Sequence, residues 1–193
     1  MPLTKASFRK ICFKKIQKTS QINSKYSSYL LNRKLMKELQ RLKSKDILFY
    51  YPLPMEANIL KVLTKMRQKS NVYLPFMEGE SFKMVPFRLP LKKKKFGIFE
   101  AGNTHRNINK IDIAIVPTIG VDGNLQRIGF GKGMYDRFFP KLKKRPYTIF
   151  IQKEFCYTKE LICDEYDIKC DLLLTPKKSL KNMAYKKRKI DVK

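Results

Sequence analysis

A chain of 193 residues with 43% hydrophobic side chains can bury a core of its own without metal or disulfide staples, and one domain accounts for its length. Its 43 Lys and Arg against 16 Asp and Glu give a formal charge of +27; residues 1–45 hold 13 cations against Glu38 alone, and residues 177–193 hold 8 against Asp191 alone. A single histidine, His105, removes most histidine-based triads, zincin motifs and polyhistidine metal sites from consideration, so catalysis would fall to Lys, Arg, Asp, Glu or backbone amides.

No run approaches the roughly 18 to 20 apolar residues that span a bilayer, and the start lacks the apolar stretch of a signal peptide, so a cytoplasmic protein is expected. In that compartment Cys12, Cys156, Cys163 and Cys170 read as reduced thiols filling core space; the seven-residue spacing of the last three does not suit a zinc clamp. The basic excess would suit nucleic acid, an anionic membrane or a polyanionic small molecule. Because the lysines are scattered without stacking aromatics, solvated lysine faces are the simpler reading.

In chain order, residues 4–18 place Phe8, Ile11 or Cys12, and Ile16 at helical spacing behind Thr4 as N-cap; Lys5 and Arg9 lie one turn apart. A second helix, free of Pro and Gly, runs from Thr19 or Ser20 to about Leu42. DILFYY at 46–51, closed by Pro52 and Pro54, reads as a buried strand of parallel type, and a helix starts at Glu56, whose carboxylate complements the helix dipole. NVYLP at 71–75 completes a βαβ unit, SFKMVPF at 81–87 is an edge strand, and the four lysines at 92–95 mark an exposed loop. Strands follow at 111–117, 147–152 and 171–176, with residues 153–170 polar and irregular. Alternating helices and doubly apolar strands predict an α/β fold, a mostly parallel sheet with helices on both faces in three Rossmann-like layers. The domain spans 1–176, leaving 177–193 as a basic, flexible tail.

The chemistry concentrates in RIGFGKGMYDRFF at 127–139, where Gly129, Gly131 and Gly133 alternate among Arg127, Lys132 and Asp136. Glycines so close allow positive φ, and their amides can point into one concavity that suits phosphate oxygens. Met134, Phe138 and Leu142 then share a helical stripe, which puts the loop at a helix N-terminus. The pattern is neither a Walker loop nor the dinucleotide GxGxxG. Its order of strand, polar loop, anion nest and helix is that of a nucleotide site.

Val116 to Phe139, VPTIGVDGNLQRIGFGKGMYDRFF, resembles the signature of the 5-formyltetrahydrofolate cyclo-ligase family. Met134 replaces the first of two tyrosines of that signature, and Leu125 stands where it has glycine, with Gly123 read as the displaced turn glycine. The resemblance extends over about 5–176 and implies ATP-dependent cyclisation of 5-formyltetrahydrofolate to 5,10-methenyltetrahydrofolate, ADP and phosphate. The formyl oxygen is phosphorylated and the neighbouring nitrogen then closes the ring, expelling phosphate. KASFR at 5–9 is similar to the family's N-terminal ATP segment. The implied ATP contacts are Lys5, Ala6, Ser7, Phe8 and Arg9 with Arg127, Ile128, Gly129, Phe130, Gly131, Lys132, Gly133, Met134 and Tyr135; Lys132 and Arg127 are the catalytic cations. Folate would meet Tyr51, Glu56 and the loop Phe130, Gly131, Lys132, Gly133, Met134, and magnesium would be held by Asp136 and Asp171. GIFEA at 97–101 is similar to a further family segment carrying Glu100. A monomer is expected; contact of the tail with nucleic acid or an anionic surface is open to it but is not predicted. The competing readings are a basic nucleic-acid binder and a different ATP- or phosphate-using enzyme on the same fold.

Overall fold

The computed structural model describes residues 2–20, 24–94 and 99–183. The strands are β1 (Asp46–Leu48), β2 (Asn71–Glu78), β3 (Ser81–Pro86), β4 (Lys92–Lys93), β5 (Phe99–Glu100), β6 (Ile113–Pro117), β7 (Gly120–Val121), β8 (Arg127–Ile128), β9 (Tyr147–Ile151), β10 (Leu172–Leu174) and β11 (Ser179–Lys181). The central sheet has seven of them in the order β11-β10-β9-β6-β1-β2-β3, while β4 pairs with β5 and β7 with β8. The five inner strands run parallel, and the edge strands β3 and β11 are antiparallel to their neighbours.

Strand periodicity explains why both faces are covered. Ile47, Ile113, Ile115, Ile149, Ile151, Leu172 and Leu174 join the core on one face with residues of α2 (Ser24–Leu42) and α3 (Leu60–Arg67). Their alternates Leu48, Ala114, Val116, Phe150 and Leu173 join the opposite core with Phe138 of the short helix α4 (Met134–Phe138). Helix α1 (Lys5–Ser20) belongs to a third cluster in which Phe8, Cys12 and Ile16 meet Ile119 and Ile128. Thr4 caps it as expected: its hydroxyl accepts the Ser7 amide at 3.1 Å, while Ser7 Oγ accepts the Thr4 amide at 3.0 Å.

Three local expectations differ from the structure. The first strand stops at Leu48, and α3 begins at Leu60 rather than Glu56, because Pro52 and Pro54 hold the intervening chain in turns. Cys12 and Cys156 are not thiols but a disulfide with Cα atoms 5.8 Å apart; 144 residues separate them, so spacing could not show the pairing. Cys163 and Cys170 remain thiols, and burial pushes both thiol pKa values up.

Part of the segment expected as a flexible tail is structured. Ser179–Lys181 pairs with Leu172–Leu174, Leu180 packs on the core, and Asn182 donates to the carbonyls of Asp171 and Cys170. Residues 184–193, the rest of the tail, lie outside the described residues. A chain ending at Pro176 is expected to lose about 1 to 3 kcal/mol of stability through these contacts, read as a lower urea midpoint. One ending at Met183 keeps all of them and should have a higher urea midpoint than the chain ending at Pro176.

Candidate active site

Strand order reverses between β1 and β6, which are hydrogen-bonded neighbours although far apart in sequence. Ligands of open α/β sheets bind at such a switch point, beyond the carboxyl ends of the strands. Two segments leave there: Tyr51–Glu56 after β1, and the loop from Thr118 to Gly133 after β6.

The second loop first makes a small hairpin of β7 (Gly120–Val121) and β8 (Arg127–Ile128). Buried Asp122 organises its turn by accepting the amides of Asn124 and Gln126 at 3.0 and 2.9 Å. The turn glycine did not move to Gly123, whose φ is not positive. Leu125 itself takes φ 56°, the left-handed region, at the position where the resemblance has glycine. Gly123 serves close approach instead, since a Cβ there would lie 2.3 Å from the Lys159 carbonyl oxygen. Leu125→Ala keeps the backbone strain while losing the apolar side chain. Leu125→Gly is therefore expected to be the more stable variant by about 1 kcal/mol in urea unfolding, reversing the usual order of the two residues.

After β8 the chain enters the glycine loop, where Gly131 and Gly133 have φ of 100° and 57°. The loop borders a cavity of about 490 Å³ lined by Lys5, Arg9, Arg127, Lys132, Asp136, Arg137, Pro140, Tyr166, Asp167 and the three glycines. The helix that follows is only five residues long. Anion affinity here rests on loop amides and cations more than on a helix dipole.

Several cations are tied to the scaffold. Arg9 Nε donates to the Gly129 carbonyl at 2.9 Å, joining α1 to the loop, and Arg137 clasps the carbonyls of Glu80 and Lys132. Arg127 is buried: Nε and Nη2 donate to the Pro117 carbonyl at 3.2 and 3.0 Å, Nη1 meets Asp136 Oδ2 at 3.3 Å, and the guanidinium lies 4.9 Å from the Tyr135 ring centroid. Lys5 is held by Asp167 and Asp164. Ser7 is engaged in the cap, and Phe8 and Ile128 are core residues; Ala6 is exposed on the helix. Phe130 meets Phe13 edge-on, Met134 packs on the core, and burial pushes the Tyr135 hydroxyl far up.

Glu56 lies in the other loop. Its Oε2 accepts the Leu53 amide at 2.9 Å, so it braces its own turn rather than a helix start. Burial raises its carboxyl to about 7, against the lowering pull of that amide and of the Arg127 charge. The pull of Arg127 makes the two loops electrostatic neighbours. Glu56 also lines a second cavity, of about 1150 Å³, between α2 and α3. The Tyr51 ring sits 5.2 Å from that of Phe99, which lines the same cavity.

Asp171 is not brought to Asp136. It stands at the amino end of β10, where it accepts Arg145 with both oxygens, at 3.1 and 2.9 Å, and the Thr148 amide at 2.7 Å. Among the described residues no group of three or more His, Cys, Asp or Glu could hold a metal unaided. Magnesium brought with a nucleotide needs fewer, since phosphate oxygens and water complete its shell, and Asp136 is a carboxylate in the cavity that fits this use. Glu100 is a buried acceptor for the Met77 amide at 3.0 Å, and Gly97 and Ile98 of its segment lie outside the described residues.

Sequence reasoning passed over Arg137, Tyr166 and Asp167. Arg137 was visible beside Asp136, but the last two come from a stretch without periodicity that reaches the cavity only through tertiary contacts.

Residues 4–176 match the 5-formyltetrahydrofolate cyclo-ligase family. The chain belongs to that family. It is 26% identical over 175 residues to the 5-formyltetrahydrofolate cyclo-ligase of Mycoplasma genitalium, covering 88% of this chain and 96% of that one. It is also similar to the 5,10-methenyltetrahydrofolate synthetase of Aquifex aeolicus in its solution structure, with TM-score 0.75, 25% identity and 94% of each chain covered. The synthetase of Mycoplasma pneumoniae shares the fold at TM-score 0.66 and 21% identity, over 90% of this chain and 99% of that one. The cyclo-ligase family match thus takes in both loops of the switch point and stops short of β11. Among the described residues, no helix is long and apolar enough to cross a membrane.

Proposed function

We propose that the chain catalyses ATP-dependent cyclisation of 5-formyltetrahydrofolate to 5,10-methenyltetrahydrofolate, releasing ADP and phosphate. The observation that carries this reading is the meeting, at one switch point, of a cationic glycine-loop cavity with a carboxylate that borders a separate, larger cavity. Phosphoryl transfer needs mainly positioning and charge neutralisation, which this histidine-free site can supply. In this reading the glycine amides with Lys5, Arg9 and Lys132 take the triphosphate, and Arg127 orders the loop from beneath. Magnesium, when bound, neutralises charge on the phosphates, and Asp136 is its ligand from the chain. Asp171 is left to the sheet.

The folate lies against the larger cavity, with Glu56 accepting from the donor edge of the pterin. The basic side chains of α2 and α3 lining that cavity, among them Arg33, Lys37, Lys61 and Lys65, suit its glutamate carboxylates. The protein acts as a monomer in the cytoplasm. Release of ADP that requires 5-formyltetrahydrofolate tests the coupling; ADP released equally without the folate would contradict it.

The Glu56 carboxyl gives the folate site a pH signature. With its ligand-free value raised to about 7, Glu56 is mostly neutral at pH 6 and mostly ionised at pH 8. If only the carboxylate accepts both pterin donors, affinity for an unreactive folate analogue should fall about tenfold between pH 8 and pH 6. Glu56→Gln should bind it roughly 5- to 150-fold more weakly at pH 8, without that slope, while affinity for an ATP analogue changes little. The stability sign is opposite. A carboxyl whose folded value lies above its unfolded one contributes stability at low pH that is lost as pH rises toward 7.

A further inference from the structure

We propose that Lys153 is a substrate-binding residue of the folate cavity, its ammonium donating to the 4-oxo oxygen of the pterin while Glu56 accepts from the neighbouring N–H groups. The inference rests on reading the larger cavity as the folate site, and it assigns a contact to a residue outside both loops of the switch point.

Lys153 lies just beyond Ile151, the last residue of β9, and because β9 runs parallel to β6 it leaves from the same edge of the sheet as the two loops. Gln152 fixes the backbone there. Its buried side chain donates to the Cys156 carbonyl at 2.9 Å and accepts the Cys156 amide at 3.1 Å. The Lys153 ammonium then reaches across to the loop after β1 and donates to the Pro54 carbonyl at 3.1 Å. That carbonyl belongs to the turn in which Glu56 Oε2 accepts the Leu53 amide and the Glu56 amide donates to the Leu53 carbonyl, both at 2.9 Å. A cation and a carboxylate are thus fastened to adjacent residues of one turn, and both line the cavity of about 1150 Å³.

The other cations lining that cavity, Lys25, Arg33, Lys37, Lys61, Lys65 and Lys93, are exposed, whereas Lys153 is half-buried. Burial pulls its pKa down, and among the described residues no carboxylate forms an ion pair with it. An ammonium has three N–H groups, and the Pro54 carbonyl takes one. A part-desolvated cation with donors to spare is costly unless a ligand brings acceptors. A pterin brings one in a fixed order, since its 2-amino group and N3–H are donors and the adjacent 4-oxo oxygen is an acceptor. Glu56 matches the donors and Lys153, held on the same turn, matches the acceptor; neither group alone reads the whole edge. The glutamate end of the folate falls to the exposed lysines of the helical wall.

The experiment reads dissociation constants by calorimetry without ATP, so that the substrate is bound but not converted. The ligands are 5-formyltetrahydrofolate and 5-formyltetrahydropteroate, which keeps the pterin and lacks the glutamate; the proteins are the unsubstituted chain, Lys153→Met, Glu56→Gln and the double variant. We expect Lys153→Met to weaken both ligands about tenfold, the loss of one hydrogen bond from a charged donor, and to do so in the Glu56→Gln background as well. A loss confined to 5-formyltetrahydrofolate, or an unsubstituted protein that binds it but not the pteroate, would place the binding energy at the glutamate end and overturns the proposal. A loss that vanishes in Glu56→Gln also overturns it, because a lysine that only braces the turn acts through Glu56. Where Lys153→Met does not fold, Lys153→Gln, which keeps a neutral N–H donor, carries the same comparison with a smaller loss for both ligands. If the unsubstituted protein binds neither ligand, the folate reading itself falls and this contact with it. If it binds both and Lys153→Met leaves both dissociation constants unchanged, the contact alone falls.

Discussion

Arg127→Met is expected to destabilise the whole protein by about 3 to 5 kcal/mol, the cost of breaking a buried ion pair from one side. Arg127 is 4% exposed, and its guanidinium stitches the end of β6, through the Pro117 carbonyl, to Asp136 at the start of α4. Its removal leaves a carboxylate with 12% exposure and no counter-charge at that contact. Gly129 also depends on it, since a Cβ at Gly129 would lie 2.3 Å from Arg127 Nη1, so the loop is moulded on this side chain. Against a typical total of roughly 5 to 15 kcal/mol, the loss should lower the melting temperature by about 10 °C or more. Adding Asp136→Asn should recover part of it by removing the stranded charge. An Arg127→Met protein with unchanged melting temperature and no turnover would instead place the guanidinium in the chemistry rather than beneath it.

Lys132→Ala should act in the opposite manner, leaving stability nearly intact and reducing turnover on the order of 10², as when one preorganised electrostatic donor is lost. Lys132 is exposed at the cavity, between two glycines of positive φ, and its carbonyl is clasped by Arg137. The backbone is thus fixed independently of the side chain that does the work. Lys141→Ala, an exposed lysine in the 3-10 turn after α4, should leave turnover unchanged. Equal effects from the two substitutions would mean that general charge, and not a placed ammonium, drives the reaction.

The architecture was legible because it follows from short-range pattern. Doubly apolar runs such as IDIAIVP could only be buried parallel strands, and their alternation maps onto the two cores found here. The glycine loop was legible because its conformational demand is written in residue type at Gly131 and Gly133. What escaped depends on partners far apart in sequence. The Cys12–Cys156 bond, the strand at Ser179–Lys181 and the Lys5–Asp167 pair each need the fold before they can be named. Asp171 shows the converse, since a resemblance in sequence placed it near magnesium while its oxygens are engaged by Arg145 and Thr148. Leu125 shows that a backbone demand can persist after the residue suited to it is gone.

The most direct test of the central claim is the absorbance of 5,10-methenyltetrahydrofolate when the purified full-length protein meets 5-formyltetrahydrofolate, with ATP and magnesium present or withheld. The expected result is methenyl absorbance that grows with time, needs ATP and magnesium, and matches the ADP released one for one. A folded protein that binds both ligands yet forms no methenyl product at saturating ATP and magnesium would contradict the account.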